Sequence, residues 1–180
     1  NNGSVGEIVA DEVVDNSFSE YKTAKKAEVE QYALDKGESN YSEENWALIE
    51  GYVSAAKTAI DAAEDKAAVD SAVSSAKASI DEVITSAEEA AEALKAKKTE
   101  AKSALDEYVS EEDYYSEEWA EITALIASGK EAIDAAGNIT AVETALTAAK
   151  AEIDKIATKS EADAAALKAA KAMATGLAAS

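Results

Sequence analysis

Four aspartates and two tryptophans are the residues whose types and spacing could carry chemistry. Asp61 and Asp134 stand 73 residues apart, as do Asp81 and Asp154, and each follows an isoleucine. Paired carboxylates can divide acid–base work between them, as in glycoside hydrolysis. Trp46 and Trp119, the only tryptophans, are also 73 apart and follow Tyr41 and Tyr114-Tyr115. An exposed cluster of Trp and Tyr can stack on a sugar or anchor a protein partner. Around these residues the chemistry is sparse. There is no His and no Cys, and all 17 basic residues are lysine. The usual general bases, thiol nucleophiles and guanidinium anion clamps are therefore missing. The seven glycines are scattered and build no phosphate-binding loop. No EF-hand-type calcium loop occurs, and Glu111-Glu112-Asp113 is too short to enclose a cation. Without cysteine there are no disulfides and no cysteine-based zinc sites. The sequence thus predicts no catalytic, cofactor-binding or metal residues and no enzymatic activity. The aspartates are expected at the edges of solvated helix faces. The tryptophans, in phase with Ile49 and Val53, are expected to cap a core while the tyrosines pack across a loop. Lys57 and Lys130 should lie along the helices or pair with nearby acids.

Only helices are available to position these residues. Alanine supplies 44 of 180 positions and proline none. That composition favours helix locally, removes its strongest breaker, and leaves a core poor in large side chains. Strand-like alternation of Val, Ile, Thr and Tyr is missing. The fold class is all-α. Against 17 lysines stand 37 acids, a formal charge of −20. Such a surface repels phosphate backbones and anionic lipid, so neither nucleic acid nor membrane is an expected partner. No apolar run approaches the length needed to cross a bilayer. The polar start, Asn1-Asn2-Gly3-Ser4, is no signal peptide and reads as a fragment or mature form.

The informative feature is an internal repeat. Shifted by 73, residues 46–83 match 119–156 at 17 of 38 positions without a gap. The matches include Ile49 with Ile122, Lys57 with Lys130, Ile60-Asp61-Ala62-Ala63 with Ile133-Asp134-Ala135-Ala136, and Ile80-Asp81 with Ile153-Asp154. The same shift places Tyr21 on Leu94, Tyr32 on Leu105 and Tyr41 on Tyr114. Ala93-Leu94-Lys95-Ala96 also falls on Ala166-Leu167-Lys168-Ala169, so residues from about 160 read as the opening helix of a third copy. Asp11-Glu12-Val13-Val14 resembles Asp81-Glu82-Val83-Ile84, as the end of a preceding copy would.

Each copy reads as three amphipathic helices. The first spans about 18–36 or 88–109, with Gly37 as a stop in the first copy. The second follows Ser42 or Ser116 as N-cap, with paired glutamates against the helix dipole. It carries Trp46, Ile49, Val53 and Ile60, mirrored by Trp119, Ile122, Ile126 and Ile133. The third follows Asp65 or Asn138, with Thr140 to Glu143 as an alternative capping box. It carries Val69, Val73, Ile80 and Val83, mirrored by Val142, Leu146, Ile153 and Ile156. Three such stripes must close on one another as a bundle of about 70 residues. Residues 66–109 hold neither Gly nor Pro. The density of strong helix formers from Ala87 to Ala101 predicts one shared helix through this stretch, about 66 Å long at 1.5 Å per residue. The alternative is a break at Thr85 or Ser86, where Thr85 with Glu88 and Ser86 with Glu89 fit capping pairs. The expected architecture is therefore a spectrin-like array of tandem three-helix bundles. Its segments are 1–16, a linker or the end of a preceding repeat; 17–86 and 87–159, the two bundles; and 160–180, the first helix of a truncated third repeat or a tail.

The run Tyr41-Ser42-Glu43-Glu44-Asn45-Trp46, followed by spaced Ala and Ile and then by Val69, Val73, Ala76 and Ile80, resembles the FIVAR module. Tyr115-Ser116-Glu117-Glu118-Trp119 is a similar run, one residue shorter. The resemblance covers most of residues 18–157; Asn45 and Glu118 stand where that module commonly has Ser, and the alanine content is heavier. It implies a small three-helix bundle found in tandem in surface and secreted proteins of Gram-positive bacteria, with a spacer or adhesion role and no catalytic residues. The expected function is a structural spacer in an extracellular bacterial protein, whose partners are the neighbouring domains or repeats of its own chain. The alternative is an adhesive module that binds a host protein or glycan through an exposed helical face.

Overall fold

The computed structural model describes the backbone of residues 5–179 and the side-chain surroundings of residues 16–179. The polar start Asn1–Ser4 and the side chains of Asp11–Val14 lie outside the described residues. Within them the chain is helical, without a strand: α1 (Val5–Lys36), α2 (Glu43–Ala62), α3 (Lys66–Asp81), α4 (Ser86–Asp106), α5 (Ser116–Ala135), α6 (Ile139–Ile153) and α7 (Lys159–Ala179). Short 3-10 turns, Glu38–Asn40 and Glu111–Asp113, precede α2 and α5. Two compact units divide the chain, Asn1–Ala90 and Ala91–Ser180.

The helices begin where side chains satisfy their free N–H groups. Ser42 Oγ accepts from Asn45 N at 3.3 Å, Asp65 Oδ1 from Ala68 N at 2.8 Å and Asn138 Oδ1 from Ala141 N at 2.8 Å. The start of α5 departs from expectation: Ser116 is already helical, and Tyr115 occupies the cap position without a side-chain hydrogen bond. Thr140 also lies inside α6 and caps nothing. Gly37 stops α1 as expected. Its φ of 80° is one that L side chains rarely adopt, and its N–H donates to Leu34 O at 3.1 Å.

In the first unit α1, α2 and α3 pack on one another around two adjoining groups of buried side chains. Val29, Ala56, Ile60, Val69, Val73 and Ala76 form one; Ala33, Trp46, Ile49 and Ile80 form the other. In the second unit Ala101 and Leu105 of α4, Ile122 and Ile133 of α5, and Val142, Ala149 and Ile153 of α6 are buried together with Tyr114. Each fully buried Ile or Leu contributes about 2 kcal/mol of hydrophobic stabilisation, and valines, alanines and one aromatic ring per unit fill the rest of the core. Val53, Val83, Ile126, Leu146 and Ile156 of the expected stripes are half-buried at its edge.

The shared helix through 66–109 is not present. α3 ends at Asp81 and α4 starts at Ser86. The absence of Gly and Pro permits a continuous helix without requiring one, and the residues between favour a stop and a restart. Val83 packs against the Trp46–Ile80 group, and its N–H donates to Ile80 O at 3.1 Å, tightening the last turn. Thr85 and Glu88 then form a reciprocal capping box. Thr85 N–H donates to Glu88 Oε2 at 2.7 Å, and Glu88 N–H donates to Thr85 Oγ1 at 3.2 Å. Donation from the Thr85 N–H, and from its hydroxyl at 3.0 Å, to the charged form holds the Glu88 carboxyl below the usual glutamate range. Asn45 adds a third tie, with Nδ2 donating to Ile84 O at 3.0 Å and to Glu89 Oε1 at 2.9 Å. Thr158 and Glu161 make the same box before α7.

The 73-residue shift does not hold in the first helix of each unit. Lys22 donates to Asp61 O and Lys26 to Asp61 Oδ1; in the second unit Lys98 donates to Asp134 O and Lys102 to Asp134 Oδ1. Glu30 pairs with Lys57, and Asp106 with Lys130. Tyr32 donates to Asp81, and Tyr108 to Asp154. The partners on the later helices are 73 apart, while those on the first helix are 76 apart (98 − 22, 106 − 30, 108 − 32). Tyr32 therefore corresponds to Tyr108 rather than Leu105, Tyr21 to Lys97 rather than Leu94, and the buried Val29 to the buried Leu105. The difference arises in the connection to the second helix. Nine positions separate Tyr32 from Tyr41 (41 − 32), but six separate Tyr108 from Tyr114 (114 − 108).

Candidate functional site

The four matched aspartates are built into contacts between helices. The second helix presents Asp61 and Asp134 to lysines one turn apart on the first helix, at 2.7 Å from Lys26 and 2.8 Å from Lys102. The third helix presents Asp81 and Asp154 to tyrosine hydroxyls, at 2.6 Å from Tyr32 and 2.7 Å from Tyr108. Asp81 also accepts from Lys36 at 2.6 Å. Lysines cover the same tyrosine rings: Lys77 lies 5.1 Å from the Tyr32 centroid and Lys150 lies 4.8 Å from that of Tyr108. A further position keeps its contact while changing its chemistry. Tyr21 donates to Asp70 at 2.5 Å, whereas Lys97 stands 3.5 Å from Glu143 at the corresponding place. These groups are exposed ion pairs and hydrogen bonds, which set helix register more than they stabilise it. Lys57 and Lys130 pair with acids of the first helix, as expected.

The electrostatics of these clamps follow from their geometry. Donation to a carboxylate favours the neutral phenol, so Tyr32, Tyr108, Tyr21 and Tyr115 are raised above the ordinary 10.0, with desolvation adding to the effect. Asp81 is held below 3.8 by Lys36 and Tyr32, and Glu28 below 4.5 by Lys25 and Lys77. A phenol raised on folding contributes stability that is full below pH 10 and is lost as pH rises through its folded value. A depressed carboxyl contributes stability that is full above its unfolded value and is lost as pH falls through the depressed one. Denaturant midpoints should therefore fall above about pH 10 and below about pH 4, with a plateau between. In the double variant Tyr32→Phe, Tyr108→Phe the alkaline fall should be shallower. An alkaline limb that both substitutions leave unchanged would refute the assignment.

The aromatic pairs mark one end of each unit. Tyr41 and Trp46 lie with ring centroids 5.9 Å apart, and Tyr114 and Trp119 lie 6.2 Å apart. Trp46 is buried against Ala33, Ile49 and Ile80, with Tyr41 packed on the group. In the second unit the burial is reversed: Tyr114 is buried and Trp119 is half-buried. Beside Trp46 opens a groove of about 960 Å³ bordered by Glu38, Tyr41, Glu43 and Glu50. Beside Trp119 opens one of about 610 Å³ bordered by Asp106, Val109, Glu111 and Glu112. On the other side of Trp46 an apolar groove of about 470 Å³ runs between α1 and α2 over Ala33, Leu34, Ile49 and Val53. The grooves leave little trace in the sequence, because Glu38 of the first rim and Asp106, Glu111 and Glu112 of the second come from elements other than the helix that carries the indole. Among the described residues no group of three or more Asp or Glu side chains is placed to hold a metal ion. No helix there is long and apolar enough to cross a membrane.

The first turn of α7 is tied to the same end of the second unit. Tyr115 donates to Asp163 at 2.6 Å, and Lys159 donates to Glu112 O at 2.9 Å. No described residue of α7 is buried, and Leu167 and Met173 are 57% and 69% exposed. Comparison with known proteins finds no matching family model, no similar curated protein and no similar solved structure.

Proposed function

We propose that the chain is a stretch of tandem three-helix bundles, similar to FIVAR modules, that serves as a structural spacer in an extracellular bacterial surface or secreted protein and carries no catalysis. The observation that supports this most is which positions the two copies share. Apart from exposed alanines such as Ala47 and Ala120, matched residues are mostly core, such as Ile49 and Ile122, Ile60 and Ile133, Val69 and Val142, and Ile80 and Ile153, or clamps between helices, such as Asp61 and Asp134. Exposed neighbours have diverged: Leu48 is replaced by Glu121 and Glu50 by Thr123. What is kept is what holds each unit in shape, as expected of a repeat whose task is mechanical. α7 begins with the same capping box as α4 and aligns with it over Ala166-Leu167-Lys168-Ala169, so it reads as the first helix of a further copy.

A spacer must gain length with each copy. Inserting a second copy of residues 87–159 should raise the maximum dimension measured by small-angle scattering, and a further insertion should raise it by the same increment. A dimension that stays constant on insertion, or turnover of substrate on a carbohydrate and peptide panel, would end this reading.

A further inference from the structure

The grooves beside Trp46 and Trp119 share three properties that the spacer reading does not use. Each lies along an indole, beside the connection from the first helix to the second, and each is rimmed by acids. Glu38, Glu43 and Glu50 stand around the first, and Asp106, Glu111 and Glu112 around the second. Glu38 and Glu111 are equivalent under the 73-residue shift. Lysines inside the protein show what such a surface takes: they lie over the rings of Phe18, Tyr21, Tyr32, Tyr108 and Tyr115. Among the described residues neither indole has a lysine over it; Trp46 is buried and offers little of its ring, whereas half-buried Trp119 presents more of what is the strongest ring acceptor for a cation. In the second groove Asp106 is already neutralised by Lys130, whereas no described lysine pairs with Glu38, Glu43 or Glu50. At the first groove the apolar floor continues past Trp46 to Leu34, which is 63% exposed. At the second, α4 ends at Asp106, and the residues from there to the 3-10 turn, 107–110, include no leucine.

We propose that these two grooves are docking sites for a lysine-rich, leucine-bearing segment of a partner protein. The ammonium groups face the rim acids, the lysine stems lie on the half-buried indole of Trp119 and along the small part of Trp46 that lines its groove, and the apolar side chains run toward Leu34 in the first unit. Charge complementarity selects this occupant: the rim is acidic, and the whole chain carries −20, which steers a cationic segment and repels an acidic one. Because the first groove has the longer apolar floor and more unpaired acids, it binds more tightly than the second.

The probe is a capped peptide of alternating lysine and leucine, titrated against the whole chain while the two indole N–H signals are followed by NMR. Both signals should shift and saturate, that of Trp46 at the lower peptide concentration. A peptide with glutamate in place of lysine should move neither. Glu38→Gln combined with Glu43→Gln should weaken binding read at Trp46 about tenfold and leave that read at Trp119 unchanged. Leu34→Ser should bring the Trp46 site to the affinity of the Trp119 site. Unmoved indole signals would overturn the proposal. So would an equal loss at Trp46 from Glu20→Gln combined with Glu64→Gln, since that pair lies outside the groove and reports only diffuse charge. The spacer reading is tested by length increments, so failure here leaves it standing.

Discussion

Ile60→Ala is expected to lower the stability of the first unit by about 2–5 kcal/mol, the range found when a large buried aliphatic side chain is cut back to a methyl. Ile60 is fully buried among Val29, Ala56, Val69, Val73 and Ala76. Two of these neighbours are alanines, whose short side chains cannot reach into the space left, so the site collapses poorly. A unit of this size has a total stability of about 5–10 kcal/mol, and the one substitution removes about half. Each unit contains a single tryptophan, so the effect can be assigned. In a Trp119→Phe background the fluorescence of Trp46 should report a denaturant midpoint moved far down by Ile60→Ala. In a Trp46→Phe background that of Trp119 should hardly move. A loss below about 1 kcal/mol would mean that the alanine-lined core closes over the gap. Equal movement of both reporters would mean that the units melt as one.

The later two helices of each copy were legible from the sequence, because their information sits in large side chains at fixed spacing. Trp46, Ile49 and Ile60, with their partners 73 residues on, fixed the stripe, and every one of the isoleucines is buried. The N-caps Ser42, Asp65 and Asn138 were equally readable, since a short polar side chain before an apolar period has one dominant use. The first helix was misregistered because it is written in Ala, Lys and Glu, which match at many offsets. Its signal lies in the polar residues instead. Lys22, Lys26, Glu30 and Tyr32 recur with the same spacing as Lys98, Lys102, Asp106 and Tyr108, a pattern visible only when the alignment may gap before Tyr41 and Tyr114.

The helix expected through 66–109 failed for a different reason. Helix propensity is a sum of small local terms, and a box such as Thr85 with Glu88 satisfies two backbone donors at once. Packing of Val83 and the tie from Asn45 to Ile84 add tertiary terms that no propensity sum contains. The indole grooves were illegible because part of each border comes from the connection preceding the second helix. In the first copy that connection carries three extra residues and Gly37 at positive φ; in the second, Tyr114 takes the buried place and leaves Trp119 half-exposed.

Gly129 tests how far the two cores are interchangeable. It is buried in the middle of α5, where glycine is the worst helix former after proline, and replacing it by alanine would gain about 1 kcal/mol from propensity alone. A Cβ there would meet Ala149 Cβ at 2.7 Å and Leu105 Cδ1 at 2.8 Å. The first contact cannot be relieved by rotating a side chain, so α5 and α6 must separate or the helix must shift, at about 1–3 kcal/mol. We expect the steric effect to win, with Gly129→Ala destabilising the second unit by about 1–2 kcal/mol. The first unit has Ala56 at this position, and it faces Val29 where the second has Leu105. Leucine and glycine in one unit thus answer valine and alanine in the other, a volume exchange across the helix pair. Leu105→Val in the Gly129→Ala background should accordingly recover part of the loss, giving a coupling of about 1 kcal/mol in a double-mutant cycle read at Trp119. A Gly129→Ala protein more stable than the parent would show that α5 and α6 have slack to spare. Strict additivity of the two changes would show that Leu105 is not what the glycine makes room for.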